Sequence, residues 1–474
     1  MASRSPADHL PPHSRVTPEG PAAWRSGWRW AVLGSFSYLS ASNAFMCMDF
    51  SDDYGLNERL LRSGEADVAL LYSLFLLSVV PVMPLAAWGV VRHHWSTVAF
   101  ANALNVAGGW LRYLAVVRSS YALAVLSSLV CGGAAAVVVC SFTAVSERWF
   151  RPSHRGLATS IAVQSNYLGW ALGSLIGAAE AGEAERARAV FGWQAVAISC
   201  CVPLCLFLYR DRRAADQQQP DTAGAAATNA SSALRSLASN GPFWRRAVPY
   251  AAIGGIGFSV PSAQDVLFGS SCYGAGSAWS GFDTGHTTVT NLSFILSGVL
   301  CGLCLGAVVP RRSAEGVVLA LALLAALSLT ALALLSTPHV APTLPPATLF
   351  PLLAGLMALS GIGTIGFIGL ALSRAVELAD GVPEAYAVGA VEMLVQGFGG
   401  GLSALSASCT VGLAGCVAVQ WLAVTALAAA YGCRPGRPSA GGRLAAVAGA
   451  VVGDAAPADS MRQPLAGGDA ARES

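Results

Sequence analysis

Runs of about twenty apolar residues recur along this chain, each closed off by arginine, proline or a polar cluster. That is the length a helix needs to cross the hydrocarbon core of a bilayer. The runs fall at roughly 28 to 48, 67 to 90, 96 to 117, 120 to 144, 157 to 179, 191 to 209, 246 to 267, 284 to 309, 315 to 336, 349 to 372, 385 to 408 and 411 to 432. Composition agrees: 54% of the 474 residues are hydrophobic, 11% are charged and the mean hydropathy is +0.55, whereas soluble domains carry about 25% charged residues. The expectation is an all-α membrane protein of about twelve transmembrane helices.

The sixth and seventh runs are separated by "YRDRRAADQQQPDTAGAAATNASSALRSLASNGPFWRR", too polar to bury and expected to be a disordered cytosolic linker. The predicted organisation is therefore a disordered N-terminal tail (1–27), a six-helix bundle (28–209), the linker (210–243), a second six-helix bundle (244–432) and a disordered C-terminal tail (433–474). Two six-helix halves joined by a long cytosolic linker is the architecture of the major facilitator fold, with the substrate site near the midplane between the halves.

Arginines collect at Arg25 and Arg29, in "RHH" after the second run, in "ERWFRPSHR" after the fourth, at Arg210, Arg212 and Arg213, at Arg311 and Arg312, and at Arg434 and Arg437. Positive loops stay in the cytosol, so both termini are expected there. The plasma membrane is the default location, an organelle membrane the alternative. The net charge of +2 is too small to argue for a nucleic-acid partner. Lipid, a small-molecule substrate and a monomeric state are the expectations.

All 28 basic residues are arginines, which excludes a phosphate-cradling P-loop and a Schiff-base lysine. Most of the twelve cysteines lie inside apolar runs and read as small buried hydrophobes. No metal site and no cofactor is expected. Neither HExxH nor GxSxG occurs, which argues against an enzyme, and "GIGTIG" at 361–366 reads as helix packing because no strand precedes it.

The fifth run, "ATSIAVQSNYLGWALGSLIGA", carries Gln164, Asn166 and Tyr167 near its middle. Each polar group left unsatisfied in lipid costs several kcal/mol, so these side chains must face a partner or a wet cavity. Asn166, Gly169, Gly173 and Gly177 share one helical face, with Trp170 beside them. The eleventh run places Glu392, Gln396 and Gly400 at steps of four. The preceding loops, "SERWFRPSHRGLA" and "AVELADGVPEAYA", each hold an acid, a proline and a small-residue helix start, a weak internal repeat.

"SNAF" (42–45), "LNVAGGWLR" (104–112), "ERWFRPSHRGLATSIAVQSNYLGWALG" and "VELADGVPEAYAVGAVEMLVQGFGG" together resemble a branch of the major facilitator superfamily, the transporters related to the feline leukaemia virus subgroup C receptor. The resemblance implies a carrier of choline and ethanolamine, of haem, or of a pyridoxine-like vitamin, and assigns Gln396 to a substrate-site glutamine. It departs from the family at Cys47, where a tryptophan is usual, at Tyr167 and Glu392, where amides are usual, and in a helix-seven aromatic that is Phe258 here.

Read on their own chemistry, these residues suit a small organic cation. Phe258, Tyr167 and Trp170 supply aromatic faces, Asn43, Asn166 and Gln396 hydrogen bonds, and Glu392 a counter-charge or a proton-coupling group. Glu147 with Arg148, and Glu377 with Arg374, are candidate gate or coupling pairs. Arg112 is expected to snorkel to the interface and His93 and His94 to be solvated. The leading functional expectation is a secondary transporter working by alternating access; a channel or transporter-like receptor is the alternative, and an intramembrane enzyme the last.

Overall fold

A computed structural model describes residues 22–51, 54–180, 183–208, 230–268, 284–309, 314–336, 344–407 and 411–432. Within them the chain is helical, with no strand. The amino-terminal half holds α1 (Ala22–Met48), the short α2 (Tyr54–Leu61), α3 (Glu65–Arg118), α4 (Tyr121–Cys140), α5 (Phe142–Trp149), α6 (Pro152–Glu180), α7 (Ala184–Ser199) and α8 (Cys201–Leu208). After α9 (Ala230–Ser239) the second half holds α10 (Gly241–Phe268), α11 (Thr284–Val308), α12 (Ala314–Leu335), α13 (Pro346–Thr364), α14 (Ile368–Leu378), α15 (Glu384–Ala407) and α16 (Leu413–Gly432).

Eight helices among the described residues are long and apolar enough to cross a membrane. One of them, within α3, holds two of the expected spans. At about 1.5 Å per residue a straight helix of its 54 residues would far exceed a bilayer about 30 Å thick. It breaks at His93 (φ −141°, ψ 60°), where the Ser96 and Thr97 hydroxyls donate to the His93 carbonyl. The expected spans outside the eight are α1, α6 and α10; α1 and α6 bury Ser40, Asn43, Gln164 and Asn166. In α6 the outward positions are Leu168, Leu172 and Leu175, all exposed, so apolar side chains meet lipid and polar ones meet protein.

The weak repeat has a structural counterpart. The fourth span of each half is broken near its end, at Ser141 between α4 and α5 and at residues 365–367 between α13 and α14, just before the polar α6 and α15. The "GIGTIG" run sits at the second break. A side chain on Gly361 or Gly363 would run into the backbone carbonyls of Phe294 and Leu321, which is the helix packing anticipated from the sequence.

Glycines set the closeness of the central helices. A Cβ at Gly169 would overlap the Ala41 backbone of α1, and one at Gly255 of α10 would overlap Phe398 and Gly399 of α15. Gly169→Val is therefore expected to force α6 off α1 and destabilise the fold by about 2 kcal/mol or more, read as a lower thermal midpoint of the detergent-solubilised protein. The halves meet mainly along α3 with α15 and α6 with α11.

Two expectations need correction. The linker predicted as disordered over 210–243 is helical at 230–239, and α10 starts at Gly241. Leu237 is buried there, Asn240 Oδ1 accepts the Phe243 N–H at 3.0 Å as a helix cap, and Asn240 Nδ2 donates to the Leu378 carbonyl at 2.8 Å. Similarly α1 begins at Ala22, inside the predicted tail. The remainder of the linker and nearly all of both tails lie outside the described residues.

Candidate functional site

The first motif asparagines bind one another. Asn43 Nδ2 on α1 donates to Asn105 Oδ1 at 2.9 Å and to the Cys131 carbonyl of α4 at 3.0 Å, and Asn105 Nδ2 donates to Ser42 Oγ at 3.0 Å. The "SNAF" and "LNVAGGW" segments thus make a buried clamp that joins three spans, with both donor hydrogens of Asn43 committed. Its side chain also faces a cavity.

That cavity lies between the halves and is small, with room for about one water molecule. Asn43, Ala44 and Cys47 of α1 form one wall, Phe75 and Leu76 of α3 and Ala135 and Val139 of α4 a second, and Asn166 and Trp170 of α6 a third. The second half contributes Phe258 of α10 and Gln396 of α15. Asn166 Nδ2 has only a long contact, 3.4 Å, to Ser40 Oγ. Gln396 is buried, and its Oε1 has no hydrogen-bond partner. An unpaired buried acceptor carries a desolvation penalty of about 1–3 kcal/mol, which a donor entering the cavity removes.

An aromatic cluster borders the space. The ring centroids of Trp170 and Phe258 are 4.4 Å apart at 88°, and Tyr167 packs against both, at 5.3 Å and 5.9 Å. The Tyr72 hydroxyl of α3 donates to the Phe258 carbonyl at 2.8 Å, so the two halves are tied at this point by a hydrogen bond as well as by edge-to-face packing.

Of the residues singled out from the sequence, Asn43, Asn166, Trp170, Phe258 and Gln396 come together in the cavity wall. Tyr167 stands behind Trp170 and Phe258. Glu392, one turn before Gln396 on α15, is buried and is also outside the wall. Phe75, Leu76, Ala135 and Val139 were not foreseen, because an apolar residue facing a cavity looks in sequence like one facing lipid.

The gate candidates separate. Arg374 pairs with Glu377 at 2.5 Å and with Glu315 of α12 at 2.9 Å, and Arg246 of α10 reaches Glu315 at 3.6 Å, so this network ties helices within the second half. Glu147 is exposed, and its carbonyl accepts from Arg155 at 3.3 Å, while Arg148 lies near His94. His94 is buried at 4% exposure, contrary to the expectation of a solvated pair, because the break at His93 turns it inward; His93 is exposed.

Arg112 also departs from expectation. It is 2% exposed and does not snorkel: it pairs with Asp49, donates to the Met46 carbonyl and to Ser127 and Ser128, and lies 4.5 Å over the Phe50 ring. Gln194 Nε2 completes the set with a 2.8 Å bond to Asp49. Asp49 at the end of α1 supplies a charge that the sequence alone did not connect to α3.

Residues 30–404 match the family model described as Major Facilitator Superfamily. Among curated relatives, the chain is 25% identical over 149 residues to the human choline/ethanolamine transporter FLVCR2, covering 31% of this chain and 28% of that protein. It is 26% identical over 172 residues to mouse choline/ethanolamine transporter FLVCR1 (36% and 29%), and 24% identical over 297 residues to the cat FLVCR1 (59% and 52%). These alignments span about half the length of the relatives or less. Among solved structures, the human organic anion transporter MFSD10 (TETRAN) superposes with a TM-score of 0.59 at 15% identity, over 86% of this chain and all of that one. That likeness concerns the fold.

Proposed function

This chain belongs to the Major Facilitator Superfamily, and we propose that it is a secondary transporter of a small organic cation such as choline or ethanolamine, working by alternating access. The observation that carries the reading is the cavity between the halves. It combines the aromatic edges and faces of Trp170 and Phe258 with the amides of Asn166 and Gln396, and a buried carboxylate, Glu392, stands one helical turn from Gln396, behind the wall. Aromatic faces attract a desolvated cation by about 2 kcal/mol or more, and the free Gln396 Oε1 accepts from a hydroxyl or an ammonium.

The packing supports alternating access. The cavity is narrow and is flanked by contacts between the halves, with Tyr72 and Trp170 against Phe258 on one side and Ser160 and Gln164 of α6 against Gly306 and Gly302 of α11 on the other. Access requires these contacts to open in turn. Gln164 is buried with both polar atoms unpartnered, so separating α6 from α11 hydrates it and offsets part of the packing lost. The cytosolic placement of both termini rests on the arginine distribution.

The test is uptake of labelled choline and ethanolamine, with pyridoxine and haem as competitors, in cells expressing the wild type and Trp170→Ala. Saturable uptake whose KM rises about tenfold in the variant supports the cation reading. Uptake absent for both amines, with competition absent as well, overturns it.

A further inference from the structure

Arg29 of α1 is half-buried, and its guanidinium lies over two aromatic rings, 5.9 Å from the centroid of Trp30 and 5.6 Å from that of Phe150, which stands between α5 and α6. Among the described residues it makes no ion pair or hydrogen bond, and its buried Nε has no partner. Arg155 of α6 reaches the same residue: its Nε donates to the Phe150 carbonyl at 3.2 Å and its Nη2 to the Glu147 carbonyl at 3.3 Å. It too is held by neutral acceptors. Phe150 therefore gathers two guanidiniums that no carboxylate neutralises among the described residues. The nearest acid in the chain, Glu147, has an exposed side chain, and the equally exposed Arg151 offsets it. Aromatic faces stabilise a cation only partly, and a charge withdrawn from water without a counter-ion is costly.

We propose that Arg29 and Arg155 form a binding site for the headgroup of an anionic phospholipid, of the phosphatidylserine type, in the cytosolic leaflet. The arginine distribution assigns the starts of α1 and α6 to the cytosol, and that leaflet carries the negative lipids. Guanidinium forks match phosphate and carboxylate oxygens, so the two arginines offer the phosphate and the headgroup carboxylate one fork each. A zwitterionic choline lipid lacks the second anion. Trp30 argues for a lipid over a free phosphate: its ring packs edge-on against Phe150, centroids 5.0 Å apart, and is 39% exposed beside the site. An indole at headgroup depth contacts the glycerol and upper acyl chain, which a free phosphate does not have. A bound headgroup would tie the start of α1 to the start of α6. The site is independent of what the central cavity carries.

The purified full chain in phosphatidylcholine liposomes, with trace spin-labelled phosphatidylserine or phosphatidylcholine, tests it through the fraction of each label that the protein immobilises. Wild type is expected to prefer phosphatidylserine by about fivefold, a preference that shrinks at high salt. Arg29→Gln with Arg155→Gln is expected to bring the ratio close to one and leave the phosphatidylcholine fraction unchanged. Should that pair lower the thermal midpoint, Arg29→Gln alone carries the comparison, since Arg29 gives up no hydrogen bond of the described residues. Arg245→Gln, which removes an exposed arginine at the start of α10, is expected to keep the wild-type ratio. A wild type without preference, or a preference that survives the loss of Arg29 and Arg155, overturns the site. An equal loss in Arg245→Gln overturns it in favour of diffuse attraction, and displacement of the labelled lipid by inorganic phosphate overturns the lipid as its occupant.

Discussion

Gln396→Ala is expected to lower kcat/KM for choline or ethanolamine uptake by about tenfold to a hundredfold, as losing a hydrogen bond of about 1.5–3 kcal/mol to a charged ligand does. The change removes the free Oε1 acceptor from the cavity wall. Surface expression measured in parallel separates this from loss of protein. Gln164→Leu is the matching control, since that amide is equally buried but packs against Gly302 outside the wall. Its effect is expected on the opening of α6 from α11, read in kcat, and not on substrate affinity at the cavity wall. A Gln396→Ala protein that transports normally would remove the main polar contribution of the second half and with it the proposed site.

The second large effect concerns the fold. Arg112→Ala is expected to destabilise the protein by about 3–5 kcal/mol, because it leaves the carboxylate of Asp49 buried with Gln194 in place of a counter-ion. The measurement is the thermal midpoint in detergent, with the yield of monodisperse protein as a second readout. Asp49→Asn added to Arg112→Ala is expected to recover part of the loss by removing the stranded charge. An Arg112→Ala protein as stable as wild type would mean that the arginine is not the buried ion-pair partner the geometry gives.

Much of the architecture was legible from hydropathy alone. Long apolar runs have few options in a bilayer, since every backbone N–H and C=O must be bonded within the helix. The boundaries were less legible where short-range bonds overrode composition. Polar residues 230–239 form a helix because Leu237 finds a buried site and Asn240 caps the next helix. Arg112 misled for a related reason. Near a span end an arginine can reach solvent or turn inward, and the choice depended on Asp49, 63 positions away.

The sequence by itself determined that this chain is a membrane protein of helical spans, that polar side chains in the fifth and eleventh runs face protein, and that its motifs belong with a transporter family. Those conclusions follow from local chemistry: hydropathy, helical periodicity and the energetic burden of a bare amide in lipid. Only the tertiary structure decided which polar groups face the cavity and which are used up in packing. It committed the donors of Asn43 to Asn105 and Cys131, moved Tyr167 and Glu392 behind the wall, and brought apolar Phe75 and Val139 into it. Within one span those side chains share a helical face, and a face of about a hundred degrees is too broad to tell a cavity from the contact beside it. The neighbouring helices settle it, by how closely their glycines let them approach.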